Sequence, residues 1–435
     1  MSDIKAFRGL RYDTAKAGEI KTLITPPYDV ITAQMQDGYY EANPYNIIRL
    51  EWGKKYAADT ENDNRYTRAA ADFTAWQQTG VLRRDDKPAF YLYRQQFTLN
   101  GKVHVRSGFI ASLRAEGYDS GNVLPHEETL PKHKADRLDL MKSTFANFSP
   151  IFGLYAEEDR RVERLLNEAA RSISPVIDVT DESQVQHILW KIDDAETVSA
   201  VEKLMSAQKI YIADGHHRYE TASLFASMQR EAGSNNGQYI MLALVNLYDE
   251  GLVVLPTHRL VKNVPSMDKD ELLIKIAAEG FAVTKISSGS NSPLKELTEK
   301  INAGGEEVPS LGLYFPGEYY LLQAENKTEM LDRFSLDKPL CLRTLDVSIL
   351  HSLILEKLLS IGKKEMAEEG WLGYTRSEEE AIKEVDNRKY QCSFLMGNPL
   401  MHQMLAVAQA GEKMPQKSTF FYPKIIAGLI INKLN

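Results

Sequence analysis

The stretch Ile210-Tyr211-Ile212-Ala213-Asp214-Gly215-His216-His217-Arg218-Tyr219-Glu220-Thr221-Ala222 decides how the chain is read. Ile210 to Ala213 is a short apolar run of the kind that forms a buried strand. Asp214-Gly215 then breaks the run with a tight turn. From Tyr219 to Phe225 the apolar residues recur at helical spacing. The pattern predicts a strand, a glycine turn and a helix whose first residues are His216, His217 and Arg218. A helix N-terminus presents backbone N–H groups and the positive end of the helix dipole, so it favours an anion. Arg218 adds a planar fork suited to phosphate oxygens. The residues alone therefore predict a phosphate- or carboxylate-binding turn. Asp214 is a candidate to hold a cation, orient a histidine or act as a base. Mg²⁺ is bound by few carboxylates plus substrate phosphates, so this one aspartate and a nucleotide suffice for it on chemical grounds.

The rest of the chain narrows the function class. Its 435 residues are too many for one ordinary core and predict two or three domains. Apolar residues at 43% and charged residues at 26% are normal for a soluble globular protein. A net charge of -8 argues against a broad nucleic-acid surface, so nucleic acid is not an expected partner. Cys341 and Cys392 are the only cysteines, which excludes a disulfide framework and a cysteine zinc site. MSDIKAFRGLRYD at the start lacks the apolar core of a signal peptide, and no apolar run approaches the ~20 residues of a membrane span. The expectation is a cytoplasmic protein with no membrane partner. A P-loop, a GxGxxG turn after a strand and a GxSxG elbow are all missing from the sequence.

Periodicity predicts helices over 62–80, 135–147, 158–172 and 194–207, and strands over 45–50, 89–93, 103–110, 186–192 and 239–246. Asn100-Gly101 is a hairpin turn. Beyond Val264-Pro265 helices and strands alternate compactly, which predicts a second α/β domain. The expected division is 1–264 and 265–435.

Other stretches carry candidate chemistry. His126-Glu127-Glu128-Thr129, followed by Lys132, Lys134 and Arg137, is a proline-bounded loop rich in ionisable groups. Glu127 is the candidate general base for a hydroxyl, while Lys134 and Arg137 are candidates to neutralise phosphate charge. Pro26-Pro27-Tyr28-Asp29 is a stiff turn that presents a carboxylate, with Arg8 and Arg11 upstream and Arg49 downstream. Arg8, Asp29 and Arg49, with His126 and His258, are the candidate substrate-binding residues. Met414 to Lys424 offers donors at Lys417-Ser418-Thr419, but its aromatic run favours packing.

Asp214-Gly215-His216-His217-Arg218-Tyr219-Glu220-Thr221-Ala222 resembles the phosphate-binding box of the ParB/sulfiredoxin superfamily, and looks most like that of the ParB-like free serine kinases. Sulfiredoxins need a cysteine in the box where this chain has His216, so their activity is not implied. More widely, Pro26 to Val30, His126 to Thr129, Asn147 to Ile151, Asp214 to Thr221, Leu255 to Arg259 and Pro415 to Pro423 resemble the bacterial family catalogued as domain of unknown function 1015. The resemblance implies an α+β (mixed α/β) fold with a ParB/sulfiredoxin-like core. It also implies a kinase that passes a phosphoryl group from ATP, ADP or pyrophosphate, with Mg²⁺, to a small hydroxyl acceptor, first of all free L-serine giving O-phosphoserine. In that reading Gly215, His216, His217, Arg218, Lys134 and Arg137 bind the donor. Asp214 binds Mg²⁺ or the acceptor, and Glu127, Asp214 and His216 form the catalytic set. The kinases' activating glutamate has no single counterpart here. The alternative is a ParB-like, nucleotide-dependent DNA-binding or chromosome-partitioning protein. A homodimer is compatible with either.

Overall fold

Two sheets of different construction organise the chain. The computed structural model describes residues 2–127, 132–287, 292–333, 338–367 and 370–435. It is a mixed α/β protein that divides into two units. The first comprises Met1–Pro125, Thr129–Val253 and Pro423–Asn435, and the second His126–Glu128 and Val254–Tyr422.

The first unit holds a nine-stranded sheet. Its order runs Val123–Leu124, Ile210–Asp214, Ile151–Tyr155, Tyr239–Asn246, Lys102–Arg114, Phe90–Leu99, Gln186–Ile192, Ile177–Thr180, with Ile4–Lys5 added beside Lys102–Arg114. Two pairings are parallel, 123–124 with 210–214 and 151–155 with 239–246, and the other strands run antiparallel. Apolar runs such as Tyr239–Asn246 are buried on both faces, as central strands must be. Asn100 and Gly101 both take positive φ (50° and 75°), the geometry a tight two-residue hairpin needs. One core packs Phe109, Tyr155, Ile212, Leu242 and Phe225 between sheet and helices. A second joins Leu23, Ile47, Phe73, Trp76 and Phe148 with Ala427 and Ile431.

The second unit carries a six-stranded antiparallel sheet in the order Phe281–Lys285, Glu318–Ala324, Ser310–Phe315, Cys392–Met396, His258–Val261, Leu372–Thr375. The strand His258–Val261 explains why the units part at Val253/Val254 rather than at 264/265: its partners are 372–375 and 392–396. At the other end, Asn432–Lys433 pairs with Ala146–Asn147, Ile431 with Leu10 and Ala427 with Thr25, which keeps 423–435 in the first unit.

Residues 45–50, expected as a strand, contain the helix Ile48–Glu51 instead. Asn46 is the reason: its side-chain oxygen accepts from Ile48 N at 2.8 Å and its amide donates to Thr22 O at 2.8 Å. That asparagine turns the backbone before an apolar run that periodicity alone would extend. Asp346–Ile349 is an α-turn continued as a π-helix over Leu350–Glu356.

Candidate functional site

The strand Ile210–Asp214 lies between 151–155 and 123–124, and its register slips between Ile212 and Asp214. Such an irregularity re-aims the side chain that follows it. Gly215 then takes φ 89° as N-cap of the sixteen-residue helix His216–Glu231. A left-handed residue at this point is what only glycine adopts without strain. The first intrahelical bond is Tyr219 N to Gly215 O at 3.0 Å.

Asp214 anchors the turn. Its Oδ1 accepts from Lys424 Nζ at 2.5 Å and its Oδ2 from Arg218 Nη2 at 3.3 Å. Burial by itself would raise this carboxyl, but Lys424 and Arg218, with His216, hold it down at about 2. So acidic a group is a poor proton acceptor at neutral pH. Asp214 therefore serves as the anchor for two cations, which corrects the expectation of a base there. Two cations thus meet one carboxylate beside a helix N-terminus worth about half a positive charge.

Arg218 extends the network inward. Its Nη1 donates to Pro150 O at 2.8 Å and to Ser149 Oγ at 3.0 Å. Ser149 in turn donates to Glu51 Oε1 at 2.8 Å. Arg137 Nη1 donates to Glu51 O at 2.9 Å and to its Oε1 at 3.4 Å. Its Nε and Nη2 grip Asp136 Oδ2 at 2.9 and 2.6 Å, and Asp136 also pairs with Arg65. The Arg137 guanidinium lies 4.2 Å from the Tyr28 ring centroid. Segments around residues 28, 51, 137, 149, 214–218 and 424 thus converge in the first unit.

The expected site residues fall into separate places. Gly215, His216, His217 and Arg218 form the turn, with His216 buried and His217 half-buried. Arg137 joins it through Glu51, which Ser149 links to Arg218, its donors going to Glu51 and Asp136. Asp29 is exposed in the 3-10 turn Tyr28–Val30. Arg49 stacks on Tyr40 at 4.3 Å and donates to its carbonyl. Arg8 donates to Asp85 O at 2.8 Å and lines a 500 Å³ cavity with Lys5, Arg84 and Lys433. His126, Glu127 and His258 belong to the second unit. There Thr419 donates through both N and Oγ1 to Glu127 Oε1 at 3.0 Å, and its Oγ1 also meets His126 Nε2 at 2.8 Å. Glu128 and Thr129 lie outside the described residues, as does the side chain of Lys134, whose backbone is in the helix Lys132–Thr144.

Periodicity missed Lys424, Ser149 and Glu51 as parts of the site. Lys424 was legible as a lone cation between Phe420-Phe421-Tyr422-Pro423 and Ile425-Ile426-Ala427, since a charge carried into an apolar run needs a partner. Ser149 and Glu51 gave no such signal.

The described residues include no group of three or more His, Cys, Asp or Glu placed to hold a metal ion. Asp214 does not fit a resident Mg²⁺, because Lys424 and Arg218 take its two oxygens. No helix among the described residues is long and apolar enough to cross a membrane.

A mixed α/β protein with a cationic glycine turn is the class that fold and site define. The chain belongs to the DUF1015 family, described as proteins of unknown function, whose model matches residues 4–348. No curated protein matches it. Among solved structures it is similar to a conserved hypothetical protein from Pyrococcus furiosus (14% identity, 70% of this chain and 89% of that one, TM-score 0.34). It is also similar to a free serine kinase mutant in complex with AMP (14%, 69% and 84%, TM-score 0.35) and to C-terminally truncated SbnI from Staphylococcus aureus (8%, 73% and 85%, TM-score 0.35). These likenesses are loose, so what the chain does is argued from its own residues.

Proposed function

We propose that the first unit is a phosphotransferase with a ParB/sulfiredoxin-like core. It takes a phosphoryl group from ATP, ADP or pyrophosphate and gives it to a small hydroxyl acceptor, first of all free L-serine. The observation that carries this reading is the turn at Gly215, where a left-handed glycine opens a long helix and Lys424 and Arg218 meet on Asp214. Neither the 500 Å³ cavity at Arg8 nor the 250 Å³ cavity at Arg259 is lined by the turn, yet phosphate is held by backbone donors and cations rather than by apolar walls.

In the reaction the acceptor oxygen forms a bond to the donor's terminal phosphorus as the bond to the bridging oxygen breaks. The hydroxyl proton leaves to water, and the donor departs one phosphate shorter. Phosphoryl transfer of this kind depends mainly on positioning and charge neutralisation, so it does not demand a strong base. Glu127, the expected base, belongs to the second unit. Gly215 to Arg218 and Lys424 hold the phosphates. Arg137 acts as a positioning residue through Glu51 and Ser149. Asp29 and Arg49 are the proposed readers of the acceptor's ammonium and carboxylate. Mg²⁺ would arrive on the donor's own phosphates and neutralise their charge.

The test incubates the full chain with ATP, ADP or pyrophosphate, Mg²⁺ and L-serine, and follows products by ³¹P NMR and mass spectrometry. O-phosphoserine or another phosphorylated acceptor is expected. Gly215→Ala adds a Cβ at positive φ that would meet the Arg218 guanidinium at 2.8–3.0 Å. It should weaken donor binding at least ~10-fold while costing only about 1–2 kcal/mol of stability. No product with any small alcohol, together with salt-sensitive DNA binding, would overturn the reading in favour of the ParB-like alternative.

A further inference from the structure

The second unit encloses a 250 Å³ cavity remote in sequence from the glycine turn. Its polar wall is unusual in what it lacks. Arg259 is buried, 1% exposed, and no carboxylate lies within 4.0 Å of it among the described residues. Its terminal nitrogens donate to the Thr257 and Lys417 carbonyls, and its Nε has no partner. Burial pushes this guanidinium down to about 10. Thr257, also 1% exposed, has a side-chain hydroxyl with no hydrogen-bond partner. A second stretch of wall carries Asp346, whose carboxylate accepts no hydrogen bond from any described residue. Burial pushes its carboxyl up to about 7 against the pull of Lys327. The rest of the lining includes apolar, adaptable side chains: Met396, Met401, Met404, Met414 and Leu345.

A buried guanidinium with no carboxylate in ion-pair range, Glu127 acting on it only from farther off, and a half-buried carboxylate that accepts no hydrogen bond are each relieved by an opposite charge. Both face one cavity, close to the lower end of ligand-pocket sizes at about 300 Å³. A ligand that relieves both must carry an anion and a cation on a small frame, with an apolar remainder for the methionines. We propose that this cavity is a binding site for a free α-amino acid with an apolar side chain, its carboxylate toward Arg259 and Thr257 and its ammonium toward Asp346. This site stands apart from the phosphotransfer reading and survives if that reading fails.

The test is calorimetric titration of the full chain with L-leucine and L-methionine, set against two leucine relatives. Leucinamide lacks the carboxylate and 4-methylpentanoate lacks the ammonium. Saturable binding of leucine or methionine is expected, with each singly charged relative at least ~10-fold weaker. Asp346→Asn, which keeps the side-chain shape, should abolish the preference for leucine over 4-methylpentanoate while leaving leucinamide the weaker of the two amines. The wild-type series needs no variant to fold. If neither amino acid binds at about 10 mM, or if both relatives bind as well as leucine, the proposal is wrong.

Discussion

Asp214 and His258 show how differently burial treats two titratable side chains. Asp214 has two cations to meet, so it stays ionised far below neutral pH. His258 has weaker help, from the Glu378 carboxylate 3.9 Å from its Nε2 and from the charge of Glu379. Its Nδ1 accepts from Met396 N at 3.0 Å, its Nε2 has no hydrogen-bond partner, and the side chain is fully buried. Burial, reinforced by the charge of Arg259, pushes it down to about 4. A histidine at about 4 in the fold and near 6.5 when unfolded takes up its proton preferentially in the unfolded chain between those values. Its stabilising effect is therefore complete above pH 6.5 and is lost as pH falls toward 4, by on the order of 3 kcal/mol. His351, lowered for the same two reasons, acts in the same direction. Urea midpoints of the second unit should drop between pH 7 and pH 4.5, and His258→Gln should flatten the profile. An identical pH dependence with and without the imidazole would falsify this account.

Among elements, those whose apolar period is unbroken were legible from residues alone. Gln186–Ile192 and Tyr239–Asn246 have the limits their patterns predict, and the helix Arg65–Gln78 is fixed by a capping box of Asn64 and Thr67. The strand expected over 45–50 failed because a side chain there competes with the backbone. At Ile48–Glu51 the competitor is Asn46, fully buried and bonded on both sides of its amide. Asn46→Ala would strand Thr22 O and Ile48 N inside the protein, at a cost of about 2–3 kcal/mol. Denaturant unfolding checks this, and a loss within about 0.5 kcal/mol, typical of a surface change, would show that the asparagine does not hold the turn. The glycine turn itself was readable because strand, glycine and helix are contiguous. The pairing of its lysine with Asp214 was not, because nothing local ties residue 424 to residue 214.

Taken whole, the chain leaves the first unit at Val253 and re-enters it at Pro423. Ala427 and Ile431 are completely buried in its second core, and Asn432–Lys433 completes a strand pair. A fragment ending at residue 264 should therefore lack a cooperative unfolding transition. Joining 423–435 to Val253 through a glycine-serine linker should restore one, as read by circular dichroism and amide protection. A stable, cooperative 1–264 fragment would contradict this partition. The same re-entry has a consequence in time. Asp214 and Lys424 are 210 residues apart, so a ribosome working at about 5–20 residues per second makes the lysine roughly 10–40 s after the aspartate. Throughout that interval the nascent chain carries a glycine turn whose carboxylate has yet to meet its ammonium. The anion site proposed for the turn can therefore be complete only once residue 424 has been added.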